Sequence, residues 1–177
     1  MAGNWLEPEA DPRKEHGYTS ERDLLLEYLD NYRLTLQMKC DGLTPEQLAS
    51  QSVPPSTMSL LGLVRHLAGV EWYWFERVML GIDGTWPFSK PDDRDAEFTE
   101  ALGTQECVDA AFAEWRKHVA AAQAYMATVT DLEVAGVDRH GDTILLRDLL
   151  IHMIEEYARH CGHADLLREA IDGRTGF

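Results

Sequence analysis

The chemistry of this chain concentrates in IHMIEEYARHCGHADLLREAI, Ile151 to Ile171, where His152, Glu156, His160 and His163 recur at spacings of four, four and three residues. Residues four apart on an α-helix are neighbours on one face, so the Glu156 carboxylate and the His160 imidazole can converge on one cation. Two ligands do not close a site. A catalytic zinc usually takes three protein ligands and keeps a position open for water or substrate, so a third must come from elsewhere in the chain. His66, in SLLGLVRHLAGVEWYWFERVML, is the natural candidate, because it sits in the other strongly apolar helical segment, which also carries Glu71. An E-x-x-x-H spacing alone arises often by chance, and a helical His is more often a hydrogen-bonding or solvated group than a ligand. The His66 segment strengthens the metal reading, and the two readings stay open on these residues alone.

The elements that must position these residues are helices. Four segments carry helical periodicity, near residues 20–40, 59–80, 104–128 and 146–170. In TSERDLLLEYLDNYRLTLQMKC either Thr19 or Ser20 can cap, and Leu24, Leu25, Tyr28, Leu29, Tyr32, Leu36 and Lys39 follow as a stripe. A loop with Pro45, Pro54 and Pro55 leads to the second helix, which Gly81 closes. Ile82 to Gly103 holds Gly84, Pro87, Pro91 and the acidic run DDRDAEF, and reads as a long irregular crossover. The alanine-rich third helix presents Cys107, Val108, Ala111, Trp115, Val119, Ala122 and Met126, while EVAGVDRHGDTILL alternates around His140 and Gly141 as a short hairpin before the fourth helix. The expected fold is therefore all-α, a four-helix bundle with a long crossover between helices 2 and 3. Bundles build metal sites from side chains on facing helices.

Composition narrows the function. A chain of 177 residues, 45% hydrophobic, fits one domain over 1–177, with residues 1–18 as an extended N-terminal arm. Arg65, His66, Glu71, Glu76 and Arg77 interrupt the longest apolar stretch, and the N-terminus lacks a signal-peptide core, so a cytoplasmic protein with no membrane partner is expected. A net charge of -15 with 16 scattered basic residues argues against nucleic acid as a partner. Cys40, Cys107 and Cys161 are odd in number and widely spaced, which fits reduced thiols. Cys161 follows His160 about 100° around the helix and reads as packing.

Two stretches, LVRHLAGVEWYWFERVMLG and EEYARHCGHADLLREAIDG, closely resemble the DinB-like family, in its actinobacterial branch related to mycothiol S-transferases. The resemblance spans roughly Thr19 to Gly173. It implies a four-helix bundle holding a divalent metal at one end, usually on a His of the second helix and an H-x-x-x-H pair of the fourth. Carried over, these are His66 and His160, with Glu156 where the first His of the pair usually stands; a carboxylate there resembles mycothiol-dependent maleylpyruvate isomerase. His163 stands where many relatives have Gln, as a fourth ligand, a proton donor or a group behind the ligands. The resemblance further implies zinc, or nickel, and a thiol co-substrate, mycothiol ahead of bacillithiol or glutathione, joined to an electrophilic small molecule in detoxification. The metal would lower the thiol's pKa so that thiolate attacks the electrophile.

Other residues have two readings each. Of Trp72, Tyr73, Trp74 and Phe75, at most two can face one pocket, the rest packing in the core or in a homodimer interface. Trp86 and Phe88 either cover the metal or, the plainer use, anchor the crossover. His152 either orients Glu156 or is an ordinary buried His among Leu149, Leu150 and Met153. His16, His118 and His140 read as solvated. Arg159 and Arg168 either meet substrate or pair with Glu155 and Glu169. No hydrolase elbow, phosphate-binding loop or dinucleotide fingerprint is present. The alternative to a transferase is a non-catalytic stress protein of the same fold that binds a metal or ligand.

Overall fold

A computed structural model describes residues 11–13, 17–90, 92–93 and 95–176. The expected arm over residues 1–18 and His16 therefore lie largely or wholly outside the described residues. The elements in order are α1 (Glu21–Cys40), α2 (Pro45–Leu48), α3 (Leu60–Glu71), a π-helical continuation of α3 (Trp72–Met79), α4 (Ala96–Thr99), α5 (Gln105–Thr128), β1 (Ala135–Val137), β2 (Thr143–Leu145) and α6 (Leu146–Asp172). The four long helical spans coincide with the four periodic segments. Ser20, Ser59 and Thr104 cap α1, α3 and α5 by accepting from the backbone N–H three residues on, and Gly173 ends α6 in a left-handed conformation.

The bundle packs α1 against α6 and α3 against α5, with α3 also touching α6. Leu29 and Leu36 of α1, Leu63 and Leu67 of α3, Ala111 and Trp115 of α5, and Leu149 and Met153 of α6 share one core. Tyr28 departs from the expected stripe, 45% exposed and turned out against Tyr18. The proline-bearing loop contains α2, because Thr44 and Gln47 form a reciprocal capping box with Pro45 at the first helical turn. The expected hairpin pairs Gly136 with Ile144 in antiparallel register and turns at Gly141. A side chain at Gly136 would collide with the Val78 backbone, so this strand lies directly on the π-helical segment. Among the described residues no helix is long and apolar enough to cross a membrane.

One polar network crosses all four long helices inside this core. Arg33 of α1 donates Nε–H and Nη2–H to the two oxygens of Glu71 at 2.8 and 2.7 Å. Tyr157 of α6 donates to Glu71 Oε1 at 2.7 Å and accepts from Trp115 Nε1 of α5 at 2.8 Å. Glu71 and Tyr157 are both wholly buried, and bidentate pairing plus a phenol satisfies a charge that burial would otherwise make costly.

Two expectations are corrected here. His118 is not solvated: it is 2% exposed, with Nδ1 on Glu76 and Nε2 on Glu114, the latter at 2.9 Å. Glu76 lies in the π-helical stretch, which packs against α5. Arg168 is not the exposed surface charge that pairing with Glu169 or meeting substrate would need. It is buried, bonds Asp172, and donates Nη1–H to the carbonyls of Lys39 and Asp41, closing the end of α1. Arg159 and His140 are exposed, the latter as expected in its turn.

Candidate metal centre

The structure brings His66 of α3 to Glu156 and His160 of α6, with one ligand atom from each lying within 4.8 Å of the others. Glu156 Oε2 is 3.4 Å from His160 Nε2 and 3.8 Å from His66 Nε2, and the two imidazole rings lie 4.7 Å apart between centroids. Glu156 and His160 converge because they are one helical turn apart. His66 meets them because apolar residues on either side, Leu63, Leu67, Met153 and Tyr157, seal α3 against α6. Two imidazole nitrogens and one carboxylate oxygen on one small volume suit a borderline divalent cation such as zinc, with coordination positions left over.

Electrostatics match that donor set. The imidazoles of His160 and then His66, facing it, hold the Glu156 carboxyl well below the usual carboxylate range, against the effect of burial, so it is ionised. Burial pushes His66 down, but the facing Glu156 carboxylate and the hydrogen bond to Glu97 outweigh it and raise the imidazole to about 9.

The far side of His66 is equally built. Its Nδ1 lies 2.8 Å from Glu97 Oε1, and Glu97 Oε2 accepts from Trp86 Nε1 at 3.0 Å. Glu97 is buried and belongs to α4, within the crossover. Arg65 holds this stretch by donating to the carbonyls of Glu97 and Ala96 at 2.8 and 3.0 Å, while its guanidinium lies over Phe88, 4.4 Å from the ring centre. Phe98 stacks on His66 at 5.8 Å between centroids and Trp86 lies at 6.3 Å. Both aromatics sit in notches left by glycine. A Cβ on Gly62 would come within 2.6 Å of Phe98, and one on Gly69 would run into the Trp86 indole. Trp86 and Phe88 thus anchor the crossover, and Trp86 also backs the carboxylate that meets His66.

Glu97 did not stand out in the acidic run DDRDAEF. A signal was nonetheless available, since Gly62 and Gly69 flank His66 at four and three residues and share its helical face. His152 is half-exposed, with Nε2 3.6 Å from Glu156 Oε1 and its ring 4.6 Å from Trp74. His163 Nδ1 lies 3.4 Å from His160 Nδ1, on the ring edge away from Glu156 Oε2. Burial, followed by the charges of His160 and Arg159, lowers its pKa. Of the aromatic run, Trp72 and Phe75 are buried, while Tyr73 and Trp74 remain half-exposed beside Trp86 and His152. Cys161 is buried, its thiol pushed up to about 12 by burial and by Asp165, with Sγ 3.6 Å from the Tyr32 carbonyl, so it packs as expected.

The chain has the DinB-like bundle fold. A crystal structure of a conserved protein from Enterococcus faecalis is similar over 89% of this chain and 100% of that one, with a TM-score of 0.61 at 14% identity, a likeness of fold alone. No curated protein matches the chain. The family model for mycothiol-S-transferase matches residues 24–173, from within α1 to the end of α6, and on that match the chain belongs to the mycothiol-S-transferase family.

Proposed function

We propose that this protein joins a low-molecular-weight thiol, mycothiol, to an electrophilic small molecule at a divalent metal held by His66 Nε2, Glu156 and His160. The observation that carries the reading is the convergence of those three donors from two helices far apart in sequence, in a chain of the mycothiol-S-transferase family. Zinc is the expected ion and nickel the nearest substitute, because both accept mixed imidazole and carboxylate ligation. Such a cation supplies Lewis acidity, lowering the pKa of a thiol offered to it so that thiolate is abundant at neutral pH.

The remaining work falls to the protein's own groups. Glu156 contributes a fixed negative charge that two imidazoles keep ionised. His152 approaches the second oxygen of Glu156 and is assigned the role of orienting it, while His163 is assigned the same role toward His160. Trp86 beside His66 and Trp74 against His152, with Tyr73 touching both, supply half-exposed aromatic surface against which the electrophile can be held. Cys161 takes no part, because a buried thiol titrating near 12 offers almost no thiolate at neutral pH.

The competing reading is a stress protein that binds a metal or ligand without turnover. Thiol-dependent consumption of a bimane or halonitrobenzene separates the two. Turnover that a chelator abolishes and zinc restores supports the transferase. Stoichiometric metal with no turnover for any thiol in a panel of mycothiol, bacillithiol and glutathione supports the other.

A further inference from the structure

We infer that Glu97 is a positioning residue for the metal centre, through which the crossover fixes the ring of His66 and keeps its Nε2 free for the cation. The inference rests on the metal reading above and adds to it a residue and an element.

The geometry begins with the two nitrogens of imidazole. A neutral imidazole carries one proton, and the nitrogen that holds it cannot ligate a metal. His66 Nδ1 lies 2.8 Å from Glu97 Oε1. An ionised carboxylate only accepts, so the proton of His66 belongs on Nδ1, and the lone pair is left on Nε2, the nitrogen that faces Glu156. The carboxylate is itself held. Its other oxygen accepts from Trp86 Nε1, its main-chain carbonyl accepts from Arg65, and its side chain is buried between α3 and the crossover. The ring of His66 is fixed about its other axis as well, with Phe98 stacked on it and Trp86 beside it. Gly62 and Gly69 admit those two aromatics at the places where any larger residue would exclude one of them.

The plainer account is that Glu97 merely ties the crossover to α3 and that His66 is a convenient partner. The two accounts differ in what they predict for the metal. Anchoring alone predicts that loss of Glu97 lowers the stability of the metal-free protein and leaves zinc affinity nearly unchanged. Positioning predicts lost zinc affinity, because carboxylates behind a ligating His are worth about 10- to 100-fold in affinity. His66 and Trp86 each meet a different oxygen of Glu97, and a Gln turns one of those oxygens into an NH₂, so one of the two donors then faces a donor.

The test is zinc affinity by chelator competition on the full chain for wild type, Glu97→Gln and Trp86→Phe, together with 15N NMR of the imidazoles of the zinc-loaded wild type. The expected result is a loss of about 10- to 100-fold in Glu97→Gln and a smaller loss in Trp86→Phe, which keeps the His66 partner. In the zinc-loaded wild type His66 should keep its proton on Nδ1. Wild-type zinc affinity in a folded Glu97→Gln protein overturns the inference and leaves the metal reading standing. A wild type that takes up no zinc overturns both. If Glu97→Gln does not fold, the wild-type spectrum decides, since a His66 ring bearing its proton on Nε2 overturns the assignment.

Discussion

Replacing Glu71 by Gln changes the charge at the centre of the bundle while leaving shape and volume nearly untouched, so no cavity term enters. In the wild type both oxygens of Glu71 are taken by Arg33, at 2.8 and 2.7 Å, and Oε1 also accepts from Tyr157 at 2.7 Å. A Gln side chain turns one of those oxygens into an N–H₂ that faces a donor of Arg33. One charge-assisted hydrogen bond is lost, at about 1.5–3 kcal/mol, and the buried guanidinium keeps the half-exposed Asp30 as its counter-charge. Breaking a buried ion pair by removing one partner costs about 3–5 kcal/mol, and for a chain of this size each kcal/mol lowers the melting temperature by about 2–4 °C. The expected shift is therefore roughly 6–20 °C. Urea titration is the sharper assay, with a lower midpoint at unchanged slope. A companion Tyr157→Phe protein removes a bond to the same oxygen, so the double variant should lose less than the sum of the two single losses, by about 0.5–3 kcal/mol. Additive effects, or a Glu71→Gln loss below about 1 kcal/mol at unchanged slope, would refute the view that this network is closed to water and acts as a unit.

Further outcomes follow from the site. Because His66 is raised to about 9 without metal, its contribution to the stability of the chelated protein is fully present below about pH 6.5 and lost as pH rises through about 9, a change on the order of 3 kcal/mol. The depressed carboxyl of Glu156 works in the opposite sense, its contribution being present above about pH 4.5 and lost on acidification below that, so chelated protein should be most stable between the two limits. Denaturation midpoints across pH 4–10 with and without zinc check this, and a flat alkaline limb in the chelated protein counts against it. Gly69→Ala should expel the Trp86 indole from its notch, shifting tryptophan emission and costing about 1–3 kcal/mol, with a loss of zinc affinity alongside; unchanged emission would show that the notch is not what seats the ring. Cys161→Ser should keep turnover and metal, as an activity assay on the zinc-loaded protein would show, since a thiol titrating near 12 is not the nucleophile.

The long helices were legible because each buries a stripe of 3.6-residue period, and their observed ends fall within two residues of the expected ones. Glu156 and His160 were legible for the same reason, since helical spacing alone makes them neighbours. His66 came from residue type and family resemblance together. What escaped depends on contacts between segments distant in sequence. Glu97 lies 31 residues from His66, in a stretch whose acidic composition reads as solvated loop, and nothing local marks it as buried. The Arg33 and Glu71 pair is hidden likewise, each looking like a surface charge until the partner helix is in place. His118 was misread because its polar neighbours suggest solvent, whereas one of its partners, Glu76, lies 42 residues away on another helix.

The π-helical winding that continues α3 bears on how length varies in this segment. In the Trp72–Met79 stretch each backbone bond closes over five residues instead of four, so surplus chain is stored without interrupting the helix. Side chains before it, His66 and Glu71 among them, keep the phase of α3; those after it are rotated relative to that phase. A chain one residue shorter between Glu71 and Gly81 would relax toward ordinary α-helical winding and present different side chains to α5 and to the β-hairpin, while His66, Glu156 and His160 stayed where they are. Insertion and deletion here are thus a way of reshaping the wall beside the three donors without moving them, and alignments that score a gap in this run as damage would misjudge it.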